Sequence, residues 1–257
     1  MGSVIAVKLF AGPVVIGLAS LAGKRWGPAA AGLLGGLPLI AACVITALWL
    51  EHGQDYALAA ASAAPAGLWA NIVYMLALGH ASRRFGWPGM LACGWIAYLI
   101  TALALAWSGL AHSLPLGIAA LAGLLIAAGV LLPKPSAPPR IVPMPKAELA
   151  TRMAAAFVLV ASLTAMTLPL GPALTGVLSA GPVAATVIPA FTLANAGRDA
   201  VLVQLRGFLI GLVGTGASLL CLAPLARHLG GWAALPVAAI ALGAGYAANL
   251  LMQRLQR

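Results

Sequence analysis

Residues 51–55 read EHGQD and residues 195–199 read NAGRD, and these segments hold three of the chain's four acidic residues. They lie 144 positions apart, so Gly-x-Asp recurs while Asn195 stands opposite Glu51. Glu51 beside His52 suits proton-coupled chemistry if the pair is withdrawn from water; in a solvated loop Glu51 is an ordinary surface carboxylate. Asp55 and Asp199 each precede an apolar run, where a carboxylate can cap a helix by accepting backbone N–H groups and meets the positive end of its dipole. Placed at opposite membrane faces, the same two would act as gate residues pairing with cations. Arg206, in VLVQLRGFLIGL, falls about two turns into an apolar run, where a lipid-facing guanidinium is costly. It either snorkels to the surface or meets an anion or an acidic side chain in a cavity. Asp199 shares its face but lies about two turns away, too far to touch it directly. Asn71 and Tyr74 in WANIVYM also share a face, lining a polar path or making one interhelical hydrogen bond. Pro38 and Pro182 interrupt GLLGGLPL and GVLSAGPV; proline removes a backbone donor, and matched Gly/Pro interruptions point either to a central site or to close helix packing. Lys8 reads as a snorkelling end residue, and His80, His112 and His228 form no ligand set.

These residues are carried by a chain that is 63% hydrophobic and 7% charged, with a mean hydropathy of +1.05. A soluble domain carries about a quarter charged residues, so lipid is the expected solvent. Fourteen basic against four acidic residues leave a formal +10. In a chain of spans this reflects Lys and Arg holding loops in the cytoplasm, and no nucleic-acid partner is expected. Cys43, Cys93 and Cys221 fall in apolar stretches as small hydrophobes without metal-like spacing. The opening run lacks the basic region of a cleavable signal peptide.

Hydropathy predicts an all-α membrane protein of about nine helices, near 4–22, 29–50, 57–79, 90–110, 116–132, 153–170, 173–194, 200–222 and 232–252. Pro38 and Pro182 then fall within the second and seventh. The stretch 133–152 contains six prolines and reads as a non-helical cytoplasmic linker. With the N-terminus outside and the C-terminus inside, the inside segments hold Lys24, Arg25, Arg83, Arg84, Lys134, Arg140, Lys146, Arg152, Arg198, Arg254 and Arg257. The outside then keeps Arg227, with Lys8 near the outer end of the first helix.

At the offset of 144, Gly27-Pro28 falls on Gly171-Pro172, Gly32 on Gly176, Pro38 on Pro182, Gly67 on Gly211, Arg83 on Arg227 and Gly86 on Gly230. Lys8 and Arg152 coincide as basic residues. The organisation expected is a four-helix repeat over 1–112, a linker helix and Pro-rich loop over 113–152, and a second four-helix repeat over 153–257. An even-numbered unit followed by one crossing is re-entered from the opposite side, so the repeats are expected to be inverted, a recurring transporter design.

The stretch AGLLGGLPLIAACVITALWLEHGQD, with Gly32-Leu33, Pro38, Glu51-x-Gly53 and Asp55, resembles the second helix and following loop of the GlpM-like family of small four-helix bacterial inner-membrane proteins. Tyr74, Pro88 and Ala92-Cys93 fall where that family places similar residues. The resemblance covers roughly residues 4–110, and the second half joins it only through the internal repeat, where Asn195 replaces the acidic residue. It implies a fused, diverged duplication in a bacterial inner membrane and an association with exopolysaccharide production, and it implies no substrate.

No phosphate-binding Gly-rich loop ending in Lys-Ser/Thr, HExxH, GxSxG or CxxC occurs, so no catalytic constellation, metal or cofactor is expected and an enzyme is disfavoured. The leading expectation is a secondary transporter or permease for a small solute, anionic if Arg206 lies in its path, working by alternating access. The alternative is a non-transporting scaffold or accessory subunit of envelope or exopolysaccharide assembly. The bilayer is the surrounding in either case. A monomer suffices because two halves share one chain, while a homodimer or an envelope-assembly partner stays open.

Overall fold

The computed structural model describes residues 2–138, 146–167 and 181–255, and the secondary structure of these residues is helical. The repeat matches at Gly171, Pro172 and Gly176, together with Arg140 and Arg257, lie outside the described residues, as does the side chain of Lys8. In chain order the helices are α1 Gly2–Trp26, α2 Pro28–Gly35, α3 Leu39–His52, α4 Gln54–Ala81, α5 Trp87–Trp107, α6 Leu114–Ile126, α7 Lys146–Thr167, α8 Val183–Ala196, α9 Arg198–Leu229 and α10 Ala234–Leu255. Among the described residues, five stretches are long and apolar enough to cross a membrane: Pro28–His52 taken across its break, Gln54–Ala81, Trp87–Trp107, Leu114–Leu131 and Arg198–Leu255, the last holding both α9 and α10.

The repeat reappears as element boundaries. α1 and α7, α3 and α8, and α4 and α9 each start 144 residues apart, and α3 and α8 are both 14 residues long. The glycine of each Gly-x-Asp is the single residue between two of these helices. Gly53 has φ 85° and Gly197 φ 83°, a region L side chains rarely adopt, which explains why glycine recurs in the signature.

Three expectations are corrected. The second span is not one helix: it breaks at Gly36–Pro38, and Pro38 and Pro182 stand at the N-termini of α3 and α8 rather than inside helices. A proline without an N–H continues a helix poorly but starts one without loss. The non-helical linker is shorter than 133–152, because α7 begins at Lys146. Beyond the last linker proline, KAELATRM is made of strong helix formers, with a Glu148–Arg152 pair at i,i+4. Arg152 is therefore no loop cation. It is buried, its Nε and Nη2 donate to Glu148 Oε1 at 3.0 and 2.6 Å, and its guanidinium lies over the Phe191 ring.

α4 and α9 form the centre. The most apolar window of α4 is 72% buried against 22% for α5, which faces outward. α4 and α9 run antiparallel: Leu68 and Gly216 are neighbours, Gly79 lies by Leu202, and Leu58 packs with Ala226. α1 and α7 are likewise antiparallel, Gly12 meeting Val160 and Gly17 meeting Met153. α2 lies parallel to the first half of α9, backbone against backbone. A Cβ on Gly32 would run into Gln204 O, on Gly207 into Ala29 O and on Gly211 into Leu33 O. Gly32-x-x-x-Gly36 facing Gly207-x-x-x-Gly211 is the small-residue device that brings helices together where lipid supplies no hydrophobic drive.

Gly207→Ala is expected to destabilise the protein by about 2 kcal/mol, an overpacking cost. Gly243→Ala, with open space around its Cβ position, should be neutral or slightly stabilising. Thermal unfolding in detergent distinguishes the two.

Candidate functional site

The two helix breaks meet. The first turn-closing bonds of α3 and α8 are Ala42 N–H to Pro38 O and Thr186 N–H to Pro182 O, both 2.8 Å. The N–H groups of Ile40 and Ala41, and of Ala184 and Ala185, precede those bonds and belong to the first turns, where helices lack internal acceptors. All four residues line one cavity of about 40 Å³, together with Asn71 and Thr215. That volume holds a few waters or one small ion. The N-terminal ends of two helices, each carrying partial positive charge, thus border one small, mostly apolar cavity that the polar side chains of Asn71 and Thr215 also line.

Side-chain hydroxyls tie the breaks to the central helices. Thr215 Oγ1 donates to Gly36 O at 2.7 Å, which satisfies a carbonyl released where α2 ends. Thr186 Oγ1 donates to Pro182 O at 2.7 Å, so the Tyr74 hydroxyl, 2.8 Å away, donates to Thr186. Tyr74 is fully buried and sits edge-on to Trp95 and Tyr98, sealing α5 against α8.

Of the residues singled out from sequence, Pro38, Pro182 and Asn71 are brought to this cavity and Tyr74 to its flank. The others are not. Glu51 stands in the last turn of α3, its side chain 26% exposed, with His52 Nδ1 4.0 Å from its carboxylate. Asn195 is exposed in the last turn of α8. Neither aspartate caps a helix, because the cap residues are Gly53 and Gly197 and no side chain bonds there. Asp55 lies exposed in the first turn of α4. Asp199 reaches across to the linker and accepts the backbone N–H of Ser136 at 2.8 Å and of Ala137 at 3.2 Å. Arg206 is half-buried, and its Nε donates to Ala128 O at 2.8 Å. That carbonyl belongs to the single π-helical turn Ala127–Leu131 that ends the α6 span, and π turns leave carbonyls poorly satisfied within the helix.

Sequence reading missed Thr215, Thr186 and Ser218. The repeat offset is the signal that finds two of them: Asn71 plus 144 is Thr215, and Tyr74 plus 144 is Ser218. Among the described residues, no three His, Cys, Asp or Glu side chains converge as a metal site. No protein-family model, curated protein or solved structure matches the chain.

Hydrogen bonds to a carboxylate are worth about 1.5–3 kcal/mol. Asp199→Ala should therefore speed amide hydrogen exchange at Ser136 and Ala137 by at least about tenfold while leaving the centre of α4 unchanged. Equal exchange in both variants would remove the linker anchor.

Proposed function

We propose that the chain is a secondary transporter or permease-like protein of a bacterial inner membrane that moves a small anionic solute by alternating access between two inverted repeats. The observation that carries this reading is the meeting of two half-helix N-termini, one from each repeat, at a cavity lined by Asn71 and Thr215. Discontinuous helices with their positive ends aimed at a central site are a recurring way to hold an anion in a membrane. The sign of the substrate then rests on backbone N–H groups at Ile40, Ala41, Ala184 and Ala185, not on Arg206.

The inverted arrangement accords with the antiparallel packing of α4 on α9 and of α1 on α7. In this reading the chain crosses nine times, with the N-terminus outside and the C-terminus in the cytoplasm. The bundle end where Gly79 meets Leu132 and Pro133, and where Asp199 holds the linker, gathers Arg83, Arg84, Lys134 and Arg198. In this reading that basic end is the cytoplasmic face, as the bias of Lys and Arg toward cytoplasmic loops suggests. The GlpM-like resemblance agrees with an inner-membrane setting.

Two measurements test this. Single cysteines at Gln54 and Asn195, both exposed, are placed in a background without the native cysteines and treated with a membrane-impermeant reagent on intact cells. Gln54→Cys should label at once and Asn195→Cys only after permeabilisation; labelling of both from one side would sink the inverted arrangement. Purified protein in liposomes should dissipate gradients of halides or small oxyanions. Asn71→Leu, which removes a polar side chain from the cavity, should slow the flux about tenfold, the effect of losing one buried polar contact of 1–2 kcal/mol. Absence of flux for every small anion with intact, correctly oriented protein would leave the scaffold reading in its place.

A further inference from the structure

The two halves differ most where the repeat predicts they should agree. On one side of the central cavity the space between α5 and α8 is filled by Tyr74, Trp95 and Tyr98, with Tyr74 bonded to Thr186. The equivalent space lies between α3 and α10. There Ser218 occupies the position of Tyr74 and Ala42 that of Thr186, and α10 carries no aromatic residue between Trp232 and Tyr246. The result is a chamber of about 470 Å³, bounded by α3, the start of α4, the end of α9 and the start of α10. Its lining extends from Pro38 to Leu50, Leu222 and Gly230. Its walls are overwhelmingly apolar. Ala42, Thr46, Leu50 and Ala238 on the wall are exposed, whereas Thr186, the repeat counterpart of Ala42, is buried.

We infer that this chamber is a binding site for one acyl chain of an anionic phospholipid, with the headgroup at Arg227. A small polar solute gains nothing from walls of Ala, Leu, Ile and Val, whereas an acyl chain matches them. Depth is set by the turn Gly230–Ala233, which lines the chamber and exposes Trp232, a residue type that sits at headgroup level. Arg227 and His228 are exposed in the last turn of α9, immediately before that turn. A chain entering from the adjacent leaflet therefore has its phosphate beside a guanidinium. Moving a tail from bilayer to chamber is nearly neutral, because lipid is as apolar as the wall. Selectivity must then come from the headgroup, where one basic side chain near a membrane surface is worth about 1 kcal/mol. The site does not depend on whether the chain transports a solute.

The test uses the full chain in vesicles with a phospholipid carrying a photoactivatable group at mid-chain, the adducts being mapped by mass spectrometry. Adducts are expected at Ala42, Ile45, Trp49 and Val237, about fivefold more frequent with phosphatidylglycerol than with phosphatidylcholine. Ser218→Tyr, which restores the residue of the other half, should abolish them while leaving adducts at the outward-facing Ile96 and Ile100 unchanged. Arg227→Gln, a surface change that spares the wall, should keep the adducts and remove the headgroup preference. Chamber adducts no more frequent than those at Ile96, with no headgroup preference, would show bulk lipid only. Ready reaction of Ser218→Cys with a water-soluble impermeant maleimide would show a hydrated path instead. Either result overturns the inference.

Discussion

Backbone contact between α2 and α9 is the constraint on which the rest of the architecture depends. In hydrocarbon, helices gain no hydrophobic energy by associating, so they are held by close packing and by polar groups that must find partners. The Gly32/Gly36 and Gly207/Gly211 pairs bring an eight-residue helix into the groove of a 32-residue one. Because α2 is held so deeply, the chain that follows it turns at Pro38 in the middle of the bundle rather than at its surface. The carbonyls and N–H groups released by that turn need partners outside the helix. Thr215 takes the carbonyl of Gly36, and the first-turn N–H groups of α3 border the central cavity. Packing thus places two polar side chains, Asn71 and Thr215, at the helix breaks in an otherwise apolar surrounding.

Charges elsewhere in the bundle follow the same rule. Arg152 is neutralised by Glu148 and stacked on Phe191, Asp199 accepts two linker amides, and Arg206 donates to a carbonyl of a π turn. Each group serves to join elements: α7 to α8, the linker to α9, and α6 to α9. A buried charge held this way is costly to strand, which makes such contacts selective for one arrangement of helices. The central cavity is bordered by none of these charges; what lines it are helix ends, apolar side chains and the neutral Asn71 and Thr215.

Positions 144 residues apart are treated unequally by the structure. Tyr74 closes one side of the cavity, and Ser218 leaves the matching side open. Asn71 and Thr215 occupy the same repeat position with different hydrogen-bonding capacities, since an amide both donates and accepts through separate atoms. The proposed exchange of access between halves would therefore run between two states of different energy, one with an aromatic seal and one with an apolar chamber.

Much of this was legible in the residues. Hydropathy came within a few positions for the helices near 4–22, 57–79, 90–110, 116–132 and 232–252, because a span must be apolar over most of its length whatever it touches; the break at Gly36–Pro38 and the starts of α7 and α8 were not placed. The offset of 144 placed the Gly-x-Asp corners and the paired prolines, because positive φ and a missing N–H are demands of the local backbone. The fates of Glu51, Asp55, Asp199 and Arg206 were not legible, nor was the partnership of Tyr74 with Thr186, 112 residues away. A polar side chain in an apolar run declares only that it needs a partner. Which atom meets it depends on how distant helices cross, and that is decided by the packing of α2, α4, α8 and α9 together.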